Sequence, residues 1–416
     1  MSVREQNIQA IVDYFESGIK PAEGPLRLGV ELEHTIVTED GQKPVSYSEE
    51  HGVEWTLRQL SREFPRLTED AKGNLLGVSK SWQYVTIEPA AQLELSAGPY
   101  EQVGEIRIEF EEFQRKLAKI LEPVGHKALA VGYHPTEAVD SLELIPKQRY
   151  RFMDAHFTGT GTMGRCMMRG SASAQISIDY TSVEDCLHKL RLASGLSPII
   201  ALICDNAPIF EKAPRQQRMV RTAIWRNTDP ARCGLVPGVM DPDFTLERYA
   251  AYVLDTPAIF FVDADGISHA TEQTFSELYD AAPMGTPEVE HALSLMFNDV
   301  RLKYYIENRT ADAMPIPFVT AYAALIKGLF YTDAGIAMLD ELLEGIDNDG
   351  VEQAKDALIR DGYDAVVYGR PVAETAAQLF EVAHDALLAN ERNYLSPLHQ
   401  LVRTRKTLAD MAERRA

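Results

Sequence analysis

Carboxylates that recur at every second position are the chemically informative residues of this chain. In 26–37 (LRLGVELEHTIV), Leu26, Leu28, Val30 and Leu32 occupy one parity, and Arg27, Gly29, Glu31, Glu33 and Thr35 the other. Alternate side chains of a strand share a face, so Glu31 and Glu33 project together, about 7 Å apart. Residues 92–97 (QLELSA) set Gln92, Glu94 and Ser96 against Leu93, Leu95 and Ala97. Residues 171–179 (SASAQISID) set Ser173, Gln175, Ser177 and Asp179 against Ala172, Ala174, Ile176 and Ile178. A fourth segment, 301–309 (RLKYYIENR), aligns Arg301, Lys303, Tyr305, Glu307 and Arg309.

Taken singly, each segment reads as a half-buried antiparallel strand with a wet outer face. Together they are unusual, because two offer almost only acids and amides and a third mixes Arg with Glu. Like charges crowded on one sheet repel. They become tolerable when a hard cation sits between them, and Mg²⁺ takes carboxylate oxygens while sharing its other positions with phosphates. Arg301, Lys303 and Arg309 beside Glu307 then supply the positive charge that a transferring phosphate requires. The pattern predicts a concave sheet that binds a nucleotide's phosphates.

The elements that must carry these residues are strands set far apart in sequence, joined by helices and long loops. That spacing argues for an antiparallel or mixed sheet, since the regular strand–helix alternation of a parallel one is absent. The expected fold is α+β: a curved antiparallel sheet lining the site, with helices packed outside. From about Ala321 the pattern is almost wholly helical, so residues 1–320 read as a catalytic body and 321–416 as a helical layer packed on it. Ile8, Ile11, Val12 and Phe15 fall at helical spacing, which predicts an N-terminal helix rather than a secretory signal. Thr181 and Glu184 form a capping-box pair ahead of Leu187, Leu190 and Leu196, and Pro198 is expected to kink or end that helix.

Composition narrows the function classes. The chain has 416 residues, 45% hydrophobic and 25% charged, with 41 Lys+Arg against 62 Asp+Glu and a net charge of −21. So acidic a chain is a poor partner for duplex nucleic acid or an anionic membrane. The stretch 196–204 is too short to span a bilayer, and a cytoplasmic location is expected. Four cysteines (Cys166, Cys186, Cys204, Cys233) fit neither a disulfide scaffold nor a CxxC zinc site, and read as packing residues.

Gly159–Gly164 matches GxGxxG, but a further strand-like run follows within a few residues where a helix should begin. It reads as a flexible glycine loop. No GxxxxGK[ST] or HExxH occurs. His134 reads as a turn or packing residue. In 215–232 (RQQRMVRTAIWRNTDPAR), Arg215 and Arg218 read as solvated, whereas Trp225, Arg226 and the turn 227–230 read as a binding loop with an arginine suited to a carboxylate.

Seven motifs, in order over roughly residues 25–320, resemble plant-type glutamate–cysteine ligases, a family also found in many bacteria. VTIEPAAQLELSAGP (85–99) is similar to that family's VTxEPGGQxELS, and LGVELEH (28–34) to its GxExE strand. GYHP (132–135) resembles G-F-Q-P, PKQRY (146–150) resembles P-K-x-R-Y, and SAQISID (173–179) resembles T-V-Q-V-N-L-D. RTAIWRNTDPARCG (221–234) is similar to R-S-x-I-W-x-x-T-D-x-x-R-x-G, and VRLKYYIENRTAD (300–312) to V-R-L-K-x-Y-x-E-x-R-x-A-D.

The resemblance implies a glutamine-synthetase-like fold and ATP-dependent joining of the glutamate γ-carboxylate to the cysteine amine through γ-glutamyl phosphate. It implies that Glu31, Glu33, Glu94 and Glu307 bind Mg²⁺, with Arg309, and beside it Arg301 and Lys303, at the transferring phosphate. It assigns Arg149, Arg221, Trp225, Gln175 and Ser173 to substrate. Two departures from the motifs bear on the polar fit around the substrate: Ser177 replaces an Asn and His134 a Gln. The competing readings are another amine acceptor, a metal-dependent hydrolase and a non-catalytic binding relative. Oligomeric state, monomer or homodimer, is left open.

Overall fold

Strand β1 (Leu28–Thr38) is the axis of the molecule in the computed structural model, which describes residues 1–263 and 266–413. It pairs with β5 (Leu93–Tyr100) on one side and with β7 (Ala174–Ile178) on the other, while its last residues, Thr35–Thr38, pair with β6 (His126–Leu129). Beyond β5 lie β4 (Gln83–Ile87), β3 (Leu75–Lys80) and β2 (Arg66–Glu69). Beyond β7 lie β9 (Ile306–Asn308) and β8 (Val300–Leu302). Every pairing in this nine-stranded sheet is antiparallel.

On the central strands β1, β5 and β7 the apolar residues Leu28, Val30, Leu32, Leu93, Leu95 and Ile176 are completely buried or nearly so. Four helices contact the sheet: Val53–Leu60, α2 (Val103–Leu121), α4 (Val183–Ile203) and α6 (Ile316–Phe330). Helix α1 (Val3–Glu16) buries Ile11, Val12 and Phe15, and Ser2 and Glu5 close its capping box. Helices α7 (Asp333–Leu342), α8 (Asn348–Asp361), α9 (Val372–Ala386) and α10 (Ser396–Arg403) wrap α4 and α6, and one apolar core runs continuously from Ile11 to Val402. The expected boundary at 320/321 falls inside α6, a helix apolar all round that belongs to both regions.

Several local expectations change. The segment 301–309 is a hairpin rather than one strand: the chain reverses at Lys303–Tyr305, and β8 folds back on β9 with Arg301 opposite Glu307. Directly opposed residues share a face, so the pair still projects together. The cap of α4 is Ser182, whose hydroxyl accepts from the Asp185 N–H, one position later than the Thr181–Glu184 pair. Pro198 neither ends nor breaks α4. Proline leaves the carbonyl four residues back without its donor, and the Ser197 hydroxyl donates to that carbonyl, on Ser194, at 2.8 Å. Helix α4 is long and apolar enough to cross a bilayer, yet most of it is buried inside the fold as a core helix.

The glycine segment is not a free flap. Its first two residues end helix α3 (Gln148–Thr160), and the Thr162 and Met163 N–H groups both donate to the Asn227 carbonyl at 3.0 Å. A Cβ on Gly161 would stand 2.3 Å from the same oxygen, so glycine there permits close docking of two chain segments.

Candidate active site

Antiparallel register, not sequence proximity, assembles the site. Across β5, β1 and β7 the sheet sets Glu94 opposite Glu33, Ser96 opposite Glu31, and Glu31 opposite Gln175. One register step away, Glu307 lies opposite Ser177 and Arg301 opposite Glu307. These side chains open on a cavity of about 280 Å³ lined by five glutamates (31, 33, 88, 94, 307) and six cations (Lys147, Arg149, Arg221, Arg301, Lys303, Arg309). Gln175 and Trp225 also line it. A separate groove of about 600 Å³ between the helix Val53–Leu60 and α2 contains none of the predicted residues.

The acids fall into two groups. Glu307 is fully buried and held by cations: Arg301 Nε and a terminal nitrogen donate to Oε2 at 2.7 Å, Arg309 donates to the same oxygen at 2.9 Å, and Lys303 reaches Oε1 at 3.4 Å. Burial alone would raise its pKa, but Arg301, Lys303 and Arg309 outweigh burial and hold it well below the usual carboxylate range. Glu31, Glu33 and Glu94 have the opposite balance. Burial pushes all three up, reinforced by neighbouring carboxylates: Glu307 against Glu31, Glu88 against Glu33, and Glu31, Glu88 and Glu33 against Glu94. Glu33 reaches about 7.

Three oxygen-rich, under-compensated carboxylates on one face suit a hard divalent cation. The set is open rather than pre-collapsed, for among the described residues no three acidic, His or Cys side chains stand close enough together to form a metal cage. Glu307 is set apart from the other three acids by its three cationic partners.

Ser173 does not line the cavity. Its hydroxyl and N–H donate to the two oxygens of Glu33 at 2.7 and 3.0 Å, so it orients an acid of the cavity. Arg301 is likewise committed, to Glu307 and to the Met296 carbonyl at 3.0 Å. Arg309 bridges Glu307 and Gln175, the latter at 2.7 Å.

Arg221, on α5 (Val220–Arg226), donates to the Arg309 carbonyl at 2.7 Å and lies 5.6 Å from the Trp225 ring centre. Arg149 donates to the Ser294 carbonyl at 3.3 Å. The Nε atoms of both Arg149 and Arg221 are buried without a partner, which leaves unsatisfied donors beside the cavity. A bound carboxylate would answer that need.

Sequence reasoning missed Glu88, Lys147 and Tyr150. The Tyr150 hydroxyl donates to Glu88 at 3.1 Å, and Lys147 lies 4.9 Å from the Tyr150 ring centre. Glu88 follows the last residue of β4, in a turn where period-two reading has no purchase, although the motif 85–99 contains it.

The other arginines of 215–232 belong to the scaffold. The Arg215 side chain is buried against Asp205 and against Asp410 at 2.7 Å, not solvated. Arg218 donates to the Arg360 carbonyl, and Arg226 pairs with Asp356 and Glu352. His134 is buried and pushed down to about 4, and its Nδ1 lies within reach of the Thr136 and Glu137 N–H groups, a turn-forming role. All four cysteines are free thiols, three of them buried.

Comparison with known proteins gives a consistent set. The family model described as glutamate-cysteine ligase family 2 matches residues 27–415. The chain is similar to glutamate–cysteine ligase B, chloroplastic, of Oryza sativa subsp. japonica, at 29% identity over 384 residues covering 89% of this chain and 76% of that protein. It is similar to the chloroplastic glutamate–cysteine ligase of Arabidopsis thaliana at 26% over 410 residues, covering 96% and 78%. Among solved structures, the glutamate–cysteine ligase of Francisella tularensis in complex with AMP shares the fold, with a TM-score of 0.55, 11% identity and coverage of 94% of this chain and 85% of that one.

Proposed function

Because this chain belongs to glutamate-cysteine ligase family 2, we propose that its carboxylate-and-arginine cavity joins the γ-carboxylate of glutamate to the amine of cysteine at the cost of ATP. Transfer of the ATP γ-phosphoryl group to the glutamate carboxylate gives γ-glutamyl phosphate and ADP. The cysteine nitrogen then attacks the acyl carbon, expels phosphate, loses a proton and yields γ-glutamylcysteine. The AMP-bound relative supports use of an adenine nucleotide.

The observation that carries this reading is the division of charge within one cavity. Three acids form no ion pair among the described residues, one acid is held by three cations, and two arginines keep a buried Nε without a partner. Mg²⁺ held by Glu31, Glu33 and Glu94 would supply neutralisation of the phosphate oxygens. Arg309 and Lys303, kept in place by Glu307, lower the repulsion between the incoming carboxylate and the phosphoryl group. Arg221 and Arg149 orient the amino-acid substrate. No covalent nucleophile is needed, since positioning and charge compensation do the work.

The test is ADP release with ATP, Mg²⁺ and glutamate, with each candidate amine added in turn. Strict dependence on cysteine supports the assignment. Equal stimulation by another amine transfers it to that acceptor, and phosphate release from ATP without any amine argues for a hydrolase.

A further inference from the structure

Lys355 is the least exposed lysine among the described residues, at 1%, yet it does not line the active-site cavity. It comes from α8, in the helical C-terminal region. Its ammonium stands 2.6 Å from an Asp299 carboxylate oxygen and 2.6 Å from Glu352. Lysine is seldom buried so completely. A well-packed apolar pair would stabilise a fold as well or better, so this buried charge calls for a reason beyond stability.

Asp299 supplies the reason. It immediately precedes β8, its N–H donates to the Gly234 carbonyl at 2.9 Å, and its carbonyl accepts the Arg309 N–H at 3.0 Å. Arg221 holds the other side of that residue, donating to the Arg309 carbonyl at 2.7 Å. Asp299 and Arg221 also line one crevice of about 10 Å³ beside Trp225, too small for more than about one water. Burial pulls the Arg221 pKa down, and Glu33, Asp312 and Asp299 are the acids that oppose it. The Asp299 carboxylate is therefore a rival for the Arg221 Nε, the buried donor that has no partner.

Helix α8 meets this rivalry at two points. Lys355 neutralises Asp299, while the second oxygen of Glu352 pairs at 3.3 Å with Arg226, the neighbour of Trp225 on α5. Asp356, also on α8, holds another Arg226 nitrogen. One helix thus fixes both the competing acid and the helix that carries Arg221. We propose that Lys355 is a positioning residue of the amino-acid site: by holding Asp299 it leaves the Arg221 Nε free for the carboxylate of an incoming amino acid. The assignment rests on the ligase reading above and deepens it, since it names what keeps that arginine open. Without Lys355, Asp299 is a largely buried carboxylate stripped of its counter-ion, and the cost of that state drives it onto Arg221.

The experiment is a double-mutant cycle on the full-length chain: wild type, K355M, D299N and K355M/D299N, with K355Q and R221K beside them. KM for glutamate, cysteine and ATP, kcat and the melting temperature are measured on each. R221K identifies the amino acid whose carboxylate Arg221 receives. For that amino acid K355M should raise KM about tenfold or more, K355Q should raise it in the same direction, and KM for ATP should not move. D299N and the double variant should stay within about threefold of wild type, because neither has a carboxylate to capture Arg221. A purely structural ion pair predicts the reverse: either single change would cost alike, and no one substrate would be singled out. An unchanged amino-acid KM in K355M and K355Q overturns the assignment, as does a rise in D299N equal to that in K355M. An R221K that alters neither amino-acid KM overturns it too. Should K355M not fold, K355Q and D299N carry the same two outcomes. Wild type that turns over while the Lys355 variants keep its KM values sinks this assignment alone; wild type without amine-dependent ADP release sinks the ligase reading and the assignment with it.

Discussion

Glu31 and Glu307 face one cavity from neighbouring register positions, yet their surroundings make their substitution opposite in effect. Glu307 balances Arg301, Lys303 and Arg309. Glu307→Gln leaves these cations without their buried counter-ion, a loss of about 3–5 kcal/mol by comparison with other buried pairs. Its melting temperature should fall along with activity. Glu31 is a carboxylate that burial and Glu307 already disfavour. Glu31→Gln should therefore abolish cysteine-dependent ADP release while the melting temperature in EDTA stays equal to wild type or rises. A Glu31→Gln protein that melts well below wild type would show the acid to be structural. Ser173→Ala tests an indirect role: Glu33 keeps the backbone N–H and loses the hydroxyl, a charge-assisted bond worth about 1.5–3 kcal/mol. The apparent Mg²⁺ constant should rise roughly tenfold or more with KM for cysteine unmoved, and a selective rise in KM for an amino acid would return Ser173 to the substrate pocket. Parity alone marked Glu31, Glu33 and Glu94, because a strand converts spacing into direction. It could not separate the acid from the serine that aims it, since both lie on polar faces and only the three-dimensional register brings Ser173 against Glu33.

Elements were legible where one period governed them and illegible where a side chain repaired a broken rule. The polar and apolar parities of β1, β5 and β7 follow the sequence directly, as does the burial of Ile11, Val12 and Phe15 on α1. The β8–β9 hairpin escaped because its turn, Lys303–Tyr305, carries no glycine, proline or asparagine to announce a reversal. The continuation of α4 past Pro198 escaped because proline predicts a break there, whereas the Ser197 hydroxyl serves the carbonyl that proline leaves without a donor. Ser197→Ala should leave the buried Ser194 carbonyl without a donor and destabilise the fold by about 1–3 kcal/mol. Chemical denaturation measures this, and KM for each substrate should not change, since α4 packs on the sheet away from the cavity. Full stability in that variant would mean that the helix bends or takes up water to satisfy the carbonyl.

At the scale of the molecule, a chain of net charge −21 builds a cavity with more cations than acids, five glutamates against six Lys and Arg. No linear window of the sequence shows this, because the cations come from loops, helices and a hairpin far apart in the chain. Three of the acids remain strained, and that strain makes stability depend on pH and on metal together. A carboxyl whose folded pKa lies above its unfolded value stabilises the fold at low pH, and that contribution is lost as pH rises through the folded pKa. For Glu33 the window runs from its ordinary 4.5 to about 7, and Glu31 and Glu94 are displaced in the same direction. In EDTA the melting temperature should therefore fall between pH 5 and pH 8 from these groups. Mg²⁺ bound to the ionised set reverses the loss, by about 2.7 kcal/mol at a concentration one hundred times its dissociation constant. Protonated carboxyls are poor ligands, so the rise on adding Mg²⁺ should be large at pH 8 and small at pH 5. Thermal melts over this pH range, with Mg²⁺ and with EDTA, measure both slopes without any substrate. A Mg²⁺ effect equal at the two pH values, or larger at pH 5, would mean that the cation binds elsewhere than at Glu31, Glu33 and Glu94.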